Sequence, residues 1–331
     1  TFRMPFRQGV RSVYINDEGV IFTGSFEDFG FWEKNNKGGL KYKSLAQNID
    51  IGKNDEIWNI YERNHTLFFQ SFTAIYKLDS TRVTKIPAPS IMLFLFRTGD
   101  SFVVQSLGLG LFRFDGSGFD FIKGSELFST LKVHAVIDRK PGEWWICTAN
   151  NGIFVFDGQN FSEQKSEISD ILKVQTCNAG LAINDSLLVF GTILKGIVFC
   201  DEKGDVQKSY DYSNGLNNNT VLSMFEDKSG GLWVGLDDGA NFLNVSSPTT
   251  LYANLSGNLG TIYTAVRNED LLYLGTNHGL LVADIINSRG DYSFDNLRII
   301  PNTQGQVWIL AQFEENILCG HNDGTFLLDG G

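Results

Sequence analysis

No run of about 18 uninterrupted apolar residues occurs in the 331-residue chain, so no segment reads as a membrane-spanning helix. Residues 1–10, TFRMPFRQGV, lack the apolar h-region of a signal peptide. A chain opening on Thr1 is expected to be a piece of a longer protein. Lys and Arg nowhere cluster, and the net charge is −11 with a pI near 4.9. Such a chain is a poor nucleic-acid binder, because that binding depends on neutralising phosphates. The 4 cysteines, Cys147, Cys177, Cys200 and Cys319, stand far apart with no CxxC, which argues against thiolate metal ligation and a disulfide framework. They are expected to be small buried hydrophobes, and they leave the compartment open. The 4 histidines, His65, His134, His278 and His321, lack metal-ligand spacing. GxSxG, HExxH and phosphate-binding glycine loops are missing as well. Neither a metal nor a cofactor is expected, and no amphipathic helix of useful length is apparent.

Phenylalanine and glycine are abundant instead, at 27 and 35 residues against 6 prolines. Aromatics and glycines spread evenly along a chain indicate many short strands joined by tight turns. One phrase recurs: an apolar strand, a polar turn ending in Gly, and a second apolar strand. It reads LWVGLDDGANFLN at 232–244, LLYLGTNHGLLVAD at 271–284, ILCGHNDGTFLLDG at 317–330 and LLVFGTILKGIVFCD at 187–201. It recurs as WWICTANNGIFVFDG at 144–158, FVVQSLGLGLFRFDG at 102–116 and VIFTGSFEDFGFWEK at 20–34. The copy LFFQSFTAIYKLD at 67–79 has lost its glycines. Aligned on Gly30, Ile75, Gly110, Gly152, Gly196, Gly239, Gly279 and Gly324, the steps average about 42 residues, a propeller period.

An apolar strand precedes each hairpin and a more polar one follows it, as in LKYKSL (40–45), RVTKIPA (82–88) and VQKSYD (206–211). The expected fold is all-β, a β-propeller of four-stranded antiparallel blades, seven or eight in number. The units run approximately 9–45, 54–88, 90–124, 131–166, 174–211, 217–253, 259–301 and 305–331 within a single domain covering 1–331. The eighth stops after its third strand, and residues 1–8 read as an outer strand that could close it. A lone four-stranded sheet cannot bury two apolar faces, so neighbouring blades bury them for one another.

The turns between second and third strands carry Glu27, Asp28, Asn150, Asn151, Lys195, Asp237, Asp238, Asn277, His278, Asn322 and Asp323. Asp, Asn and Gly suit tight turns whatever the function. The same residues, gathered on one rim with Asn218 of the link 214–220, also make a hydrogen-bonding surface for a glycan or another small polar ligand. The links 48–56 and 256–261 should open on that face too. Trp32, Trp58 and Trp308 lie near such links and could stack on sugar rings, although strand aromatics are normally core. Trp144, Trp145 and Trp233, inside second strands, are expected to be core. His278 and His321 occupy equivalent turns of adjacent units, which repetition alone explains. DEKGD (201–205) lacks the ligand count of a calcium loop and reads as a hairpin turn.

The segment 215–244, GLNNNTVLSMFEDKSGGLWVGLDDGANFLN, resembles the two-component regulator propeller repeat. Asn219, Val221, Asp227, Gly231, Leu232, Trp233, Gly235 and Gly239 occupy its characteristic places, and Leu236 stands where the repeat usually has Thr. Weaker copies keep a Gly-Thr pair at Gly191–Thr192 and Gly275–Thr276. Residues 10–45 and 55–79 are similar to the sensor region of large regulators of gut Gram-negative bacteria. That resemblance implies a periplasmic propeller followed by a triple-tyrosine β-sandwich, a membrane helix and an output domain. The output is a histidine kinase or a LuxR-type helix-turn-helix, and neither it nor the sandwich is in this chain. The expected role is non-enzymatic: an extracytoplasmic, ligand-binding sensor, recognising a glycan and signalling by domain rearrangement. Its expected partners are that ligand, the absent C-terminal domains and a second copy of the chain. The alternatives are a carbohydrate-active hydrolase or lyase using paired rim carboxylates, and a protein–protein scaffold. The absence of a GH…WD signature argues against a WD-repeat scaffold.

Overall fold

The computed structural model describes residues 4–5, 8–34, 38–99, 101–245, 247, 259–285 and 297–328. Strands fill it, in eight successive antiparallel sheets: 10–44, 59–87, 92–121, 133–163, 177–210, 221–244, 262–299 and 307–328, here sheets 1 to 8. In each, strand order follows chain order. Six sheets have four strands, while sheets 6 and 8 have three among the described residues. This is the β-propeller blade pattern. The chain forms two compact units, one of residues 1–206 and 218–243, the other of 207–217 and 244–331.

In sheets 2 to 5 the second and third strands are buried on both faces over most of their length, so they lack a polar face. Leu188–Thr192 and Ile197–Cys200 of sheet 5 are buried at every position. In the first unit Phe22 and Phe29 of sheet 1 meet Phe69 and Tyr76 of sheet 2, with the Phe29 and Phe69 rings 4.5 Å apart. Phe68 then meets Phe102 and Phe114, and Val103 meets Trp144 and Phe156. Trp145, Cys147, Cys177, Phe190 and Cys200 fill the space between sheets 4 and 5. In the second unit Tyr273 and Val282 of sheet 7 pack on Val307, Leu310 and Cys319 of sheet 8. Each such apolar side chain contributes roughly 1.5–3 kcal/mol on burial, which explains the abundance of Phe between sheets.

The Gly-Thr pair of the repeat has two separate physical duties. Thr148, Thr192 and Thr276 end their second strands, buried, and each hydroxyl donates to the carbonyl of the turn glycine: Gly152 at 2.8 Å, Gly196 at 2.9 Å and Gly279 at 2.9 Å. The same oxygen accepts from a turn N–H, of Asn151, Lys195 and His278 respectively. Ser25 and Ser71 make the equivalent bond to Asp28 and Ala74. In sheet 8 His321 takes the place, its Nδ1 accepting from the Asp323 N–H at 3.1 Å. Leu236 in sheet 6 has no hydroxyl to offer, so only its backbone N–H holds the turn, through Gly239.

The glycine before the hydroxyl is set by the next sheet. A Cβ at Gly24 would lie 2.5 Å from Ile57 Cγ2, at Gly191 2.5 Å from Val221 Cγ1, and at Gly275 2.7 Å from Val307 Cγ1. Sheets 2 and 3 put a buried glutamine there instead. Gln70 donates to the Leu93 carbonyl and accepts from the Leu95 N–H, while Gln105 donates to Phe128 and Leu131 and accepts from Val133. Either solution fixes the start of the following first strand.

Three expectations need correction. The turn position of the first two copies is Asp28 and Ala74, the acceptors of Ser25 and Ser71. Gly30 lies inside the third strand, where a Cβ would meet Lys43 O at 2.0 Å. A helix, α1 (Glu167–Gln175), links sheets 4 and 5. Its N-cap Ser166 accepts from the Ser169 N–H, and it buries Ile168 and Leu172 with Ile171 partly buried beside them; at nine residues it is too short for this apolar spacing to stand out in the sequence. Trp144 and Trp145 are core at 3% exposure, but Trp233 is 48% exposed, on the sheet 6 face turned away from sheet 5, beside Phe242 and with its N–H on Asp227. The closing strand read at 1–8 falls largely on residues 1–3 and 6–7, outside the described residues. Of that stretch, Met4 is buried with its Sδ 3.4 Å from Thr23 Oγ1. The fourth strand of sheet 6 would likewise fall outside the described residues.

Two outcomes follow from this packing. Gly191→Ala drives a methyl into Val221 and is expected to cost about 1–3 kcal/mol by overpacking. Thr192→Val leaves turn groups unpaired and is expected to cost about 1–3 kcal/mol; urea unfolding midpoints measure both. Burial pushes the thiols of Cys177 and Cys200 up to about 12 and that of Cys147 well above its ordinary 9.0. None of the 4 buried thiols should react with Ellman's reagent in the native protein, and all 4 should react in concentrated guanidinium chloride.

Candidate functional site: the turn rim and the bulged first strands

A backbone seam ties each second-to-third-strand turn to its neighbours. The turn N–H of Ala149 donates to Lys132 O just before its own sheet, and the Ala149 carbonyl accepts from Cys177 N at the start of the next. Ile193 repeats this with Thr176, Leu107 with Ile91 and Asp237 with Thr220. On the carbonyl side, Ser25 O accepts from Ile57 N and Phe72 O from Met92 N. In the second unit Asn277 N donates to Thr261 O and Asn322 N to Gln306 O. The turns of each unit therefore line up along one edge of that unit.

Five of the rim residues named from sequence use their side chains to hold turns and links in place. Glu27 Oε1 accepts from Asn54 N at 2.6 Å, and Asp28 Oδ1 accepts from Ser44 Oγ at 2.6 Å, with the buried Tyr42 phenol beside it. Desolvation, with Asp28 second, pushes that phenol far above its ordinary value. Asn218 Oδ1 accepts from Thr220 N at 2.7 Å, placing Asn218 between the turns of Lys195 and Asp237. Asn277 and Asn322 each accept from the N–H just before the first strand of their own sheet, Thr261 at 2.7 Å and Gln306 at 3.0 Å. Asn150, Asn151, Asp237, Asp238, His278 and Asp323 project from the turns with their side chains exposed. Among the described residues no group of three or more His, Cys, Asp or Glu could hold a metal ion. Of the link 256–261, residues 256–258 lie outside the described residues.

A second row of side chains, missed as a set, flanks this rim. In seven of the eight first strands the register slips by a residue opposite the end of the second strand. The bulged residues are Arg11, the Leu93–Phe94 pair, His134, Asn178, Leu222, Tyr263 and Trp308. Trp58 holds the same place in sheet 2, its backbone N–H donating to Gln70 O at 2.8 Å. A bulge turns its side chain out of the ladder and re-aims it. The signal was present in the sequence: the row follows an apolar residue (Val10, Ile57, Val133, Cys177, Val221, Ile262, Val307) and precedes the turn hydroxyl position by 13 or 14 residues. These neighbours repeat in kind, whereas the bulged position holds Arg, Trp, Phe, His, Asn, Leu, Tyr and Trp.

In the first unit these residues engage one another. Arg11 pairs with Glu56 at 3.0 and 3.2 Å and lies over the Trp58 ring at 5.4 Å. Trp58 also packs against Phe72, and its buried indole N–H has no partner. Phe94 packs against His134 at 5.7 Å, and Asn178 Nδ2 donates to Val221 O at 2.8 Å. In the second unit Tyr263 and Trp308 stack at 4.7 Å and 27°. Trp32 is not a free platform, since its N–H donates to Thr23 and its ring packs on Tyr42.

Desolvation lowers His134 from its ordinary 6.5, opposed by a hydrogen bond to the Asn178 backbone. The unfolded chain thus binds this proton more readily than the folded one. Stability from this group is present above about pH 6.5 and falls as the pH drops below it. His134→Gln should flatten the dependence of the urea midpoint on pH between about 6.5 and 5; an unchanged slope would count against it.

Residues 215–238 match the family described as two component regulator propeller. Among curated proteins nothing matches the chain. Among solved structures, the extracellular domain assigned to the hybrid two component system BT3049 of B. thetaiotaomicron aligns over 99% of this chain and 53% of its own, at 15% identity and a TM-score of 0.58. The chain thus spans about half the length of that domain. The WD40 propeller domain of Doa1 aligns over 99% of this chain and 94% of its own, at 11% identity and a TM-score of 0.54. The computationally designed Ika8 protein aligns over 97% and 96%, at 13% identity and a TM-score of 0.50. At these identities the likeness is one of fold. The chain has a β-propeller fold of repeated antiparallel sheets, and its residues 215–238 match the two component regulator propeller repeat.

Proposed function

We propose that this chain is the ligand-binding sensor propeller of a longer two-component or one-component regulator, exposed outside the cytoplasm. The observation that carries the proposal is the regulator repeat at 215–238, embedded in a chain whose sheets repeat the same blade from end to end. The likeness of fold to the extracellular domain of BT3049 supports an extracytoplasmic, periplasmic setting. A binding role is favoured over catalysis because two rim acids, Glu27 and Asp28, are spent on turn and strand hydrogen bonds. The rim and bulge rows expose amides, carboxylates and aromatic rings side by side, the chemistry that receives a small oligosaccharide. Its binding would bias the arrangement of this propeller against domains outside the chain, since a ligand shifts an equilibrium only by preferring one state.

Thermal melting of the chain against soluble plant, fungal and host glycans tests the ligand class. A ligand at a hundredfold its Kd adds about 2.7 kcal/mol, so its midpoint should rise by several degrees. No shift with any glycan would overturn the glycan reading. An alkaline phosphatase fusion in the producing cell tests location. Active phosphatase is expected, and an inactive fusion that is stably produced would place the chain in the cytoplasm.

A further inference from the structure

Tyr263 and Trp308 differ from the other bulged residues in what they leave unused. They belong to the first strands of sheets 7 and 8, within one compact unit. Both sit at the register slip, Tyr263 between Ile262 and Thr264, Trp308 between Val307 and Ile309. Their rings stack on each other at 4.7 Å while remaining 40% and 51% exposed. The Tyr263 hydroxyl and the Trp308 indole N–H make no hydrogen bond among the described residues. Of the other exposed or partly exposed indoles, the Trp233 N–H is committed to Asp227 and the Trp32 N–H to Thr23, while the Trp58 ring lies beneath Arg11 with its N–H buried. Just beyond the pair, the Asn277 and Asn322 amides cap the turns of the same two sheets.

We propose that the stacked Tyr263–Trp308 pair forms an aromatic platform, one sugar ring of an oligosaccharide stacking on the outer face of one ring while the other ring braces it, with the polar edge of the contacted ring bonding a sugar hydroxyl. The proposal rests on the ligand-binding reading above and gives it a location. A pyranose presents an apolar C–H face and an equatorial rim of hydroxyls, which matches a flat apolar surface edged by unpaired donors. A nucleobase would also stack, but its phosphates would face a chain of net charge −11. The two bulges supply the pre-organisation: mutual stacking holds each ring against rotation, so little side-chain freedom is lost on binding.

The test is calorimetric titration of the whole chain with cellohexaose, xylohexaose, maltohexaose, mannohexaose and chitohexaose. Trp308→Ala and Tyr263→Ala should weaken binding of whichever hexaose the unaltered chain takes by at least about tenfold, the loss given by truncating an aromatic anchor. Trp308→Phe should retain part of the affinity. Phe313→Ser, an exposed aromatic on the same strand away from the bulge, should bind as the unaltered chain does. Circular dichroism confirms folding, and the Phe variant decides if the Ala variant is unfolded. Equal binding by the unaltered chain and the platform variants would overturn the platform while leaving the glycan reading in place. No binding of any hexaose by the unaltered chain would overturn the platform together with that reading.

Discussion

The hydrogen-bonded turn between the second and third strands is the constraint from which the rest of each unit is built. Its backbone N–H reaches back to the link before its own sheet, and its carbonyl takes the N–H that opens the next. A buried turn with free N–H and C=O groups would cost as much as several lost hydrogen bonds. The seam pairs those groups while fixing the spacing of consecutive sheets. The Thr, Ser or His side chain at the end of the second strand closes the turn from within, so the hairpin's register is held inside the sheet itself.

The stacking distance is then set by what stands one residue earlier. Glycine at 24, 191 and 275 lets Ile57, Val221 and Val307 press onto bare backbone. Gln70 and Gln105 fill the same place with amides that satisfy backbone groups of the next sheet. These are alternative solutions to one problem, since close-packed interiors tolerate neither a void nor an excess atom. Phenylalanine fills the remaining volume between second and third strands, where both faces are buried.

The proposed binding function falls where this grammar leaves freedom. The turn backbone is committed to the seam, whereas the bulged residue of seven of the first strands is excluded from the ladder and varies in type. The rim acids and amides that stand out in the sequence divide accordingly. Glu27, Asp28, Asn218, Asn277 and Asn322 hold loops in place, while Asn150, Asp237 and Asp238 face outward.

The sequence by itself determined the eight repeat units, the strand order within them and the regulator repeat, while leaving seven or eight blades open. Each depends on short-range periodicity: alternating apolar strands, turn residues and a recurring Gly-Thr pair. Tertiary structure decided the rest. It made Gly30 a strand residue, because the pressure of Lys43 comes from a neighbouring strand. It left Trp233 half-exposed, because the burial of a residue in a strand depends on what covers its face and not on its place in a motif. It also gathered Cys147, Cys177 and Cys200 from distant positions into one apolar cluster, and it singled out Tyr263 and Trp308. A bulge is a property of two paired strands, so the direction in which its side chain points is fixed only when their register is.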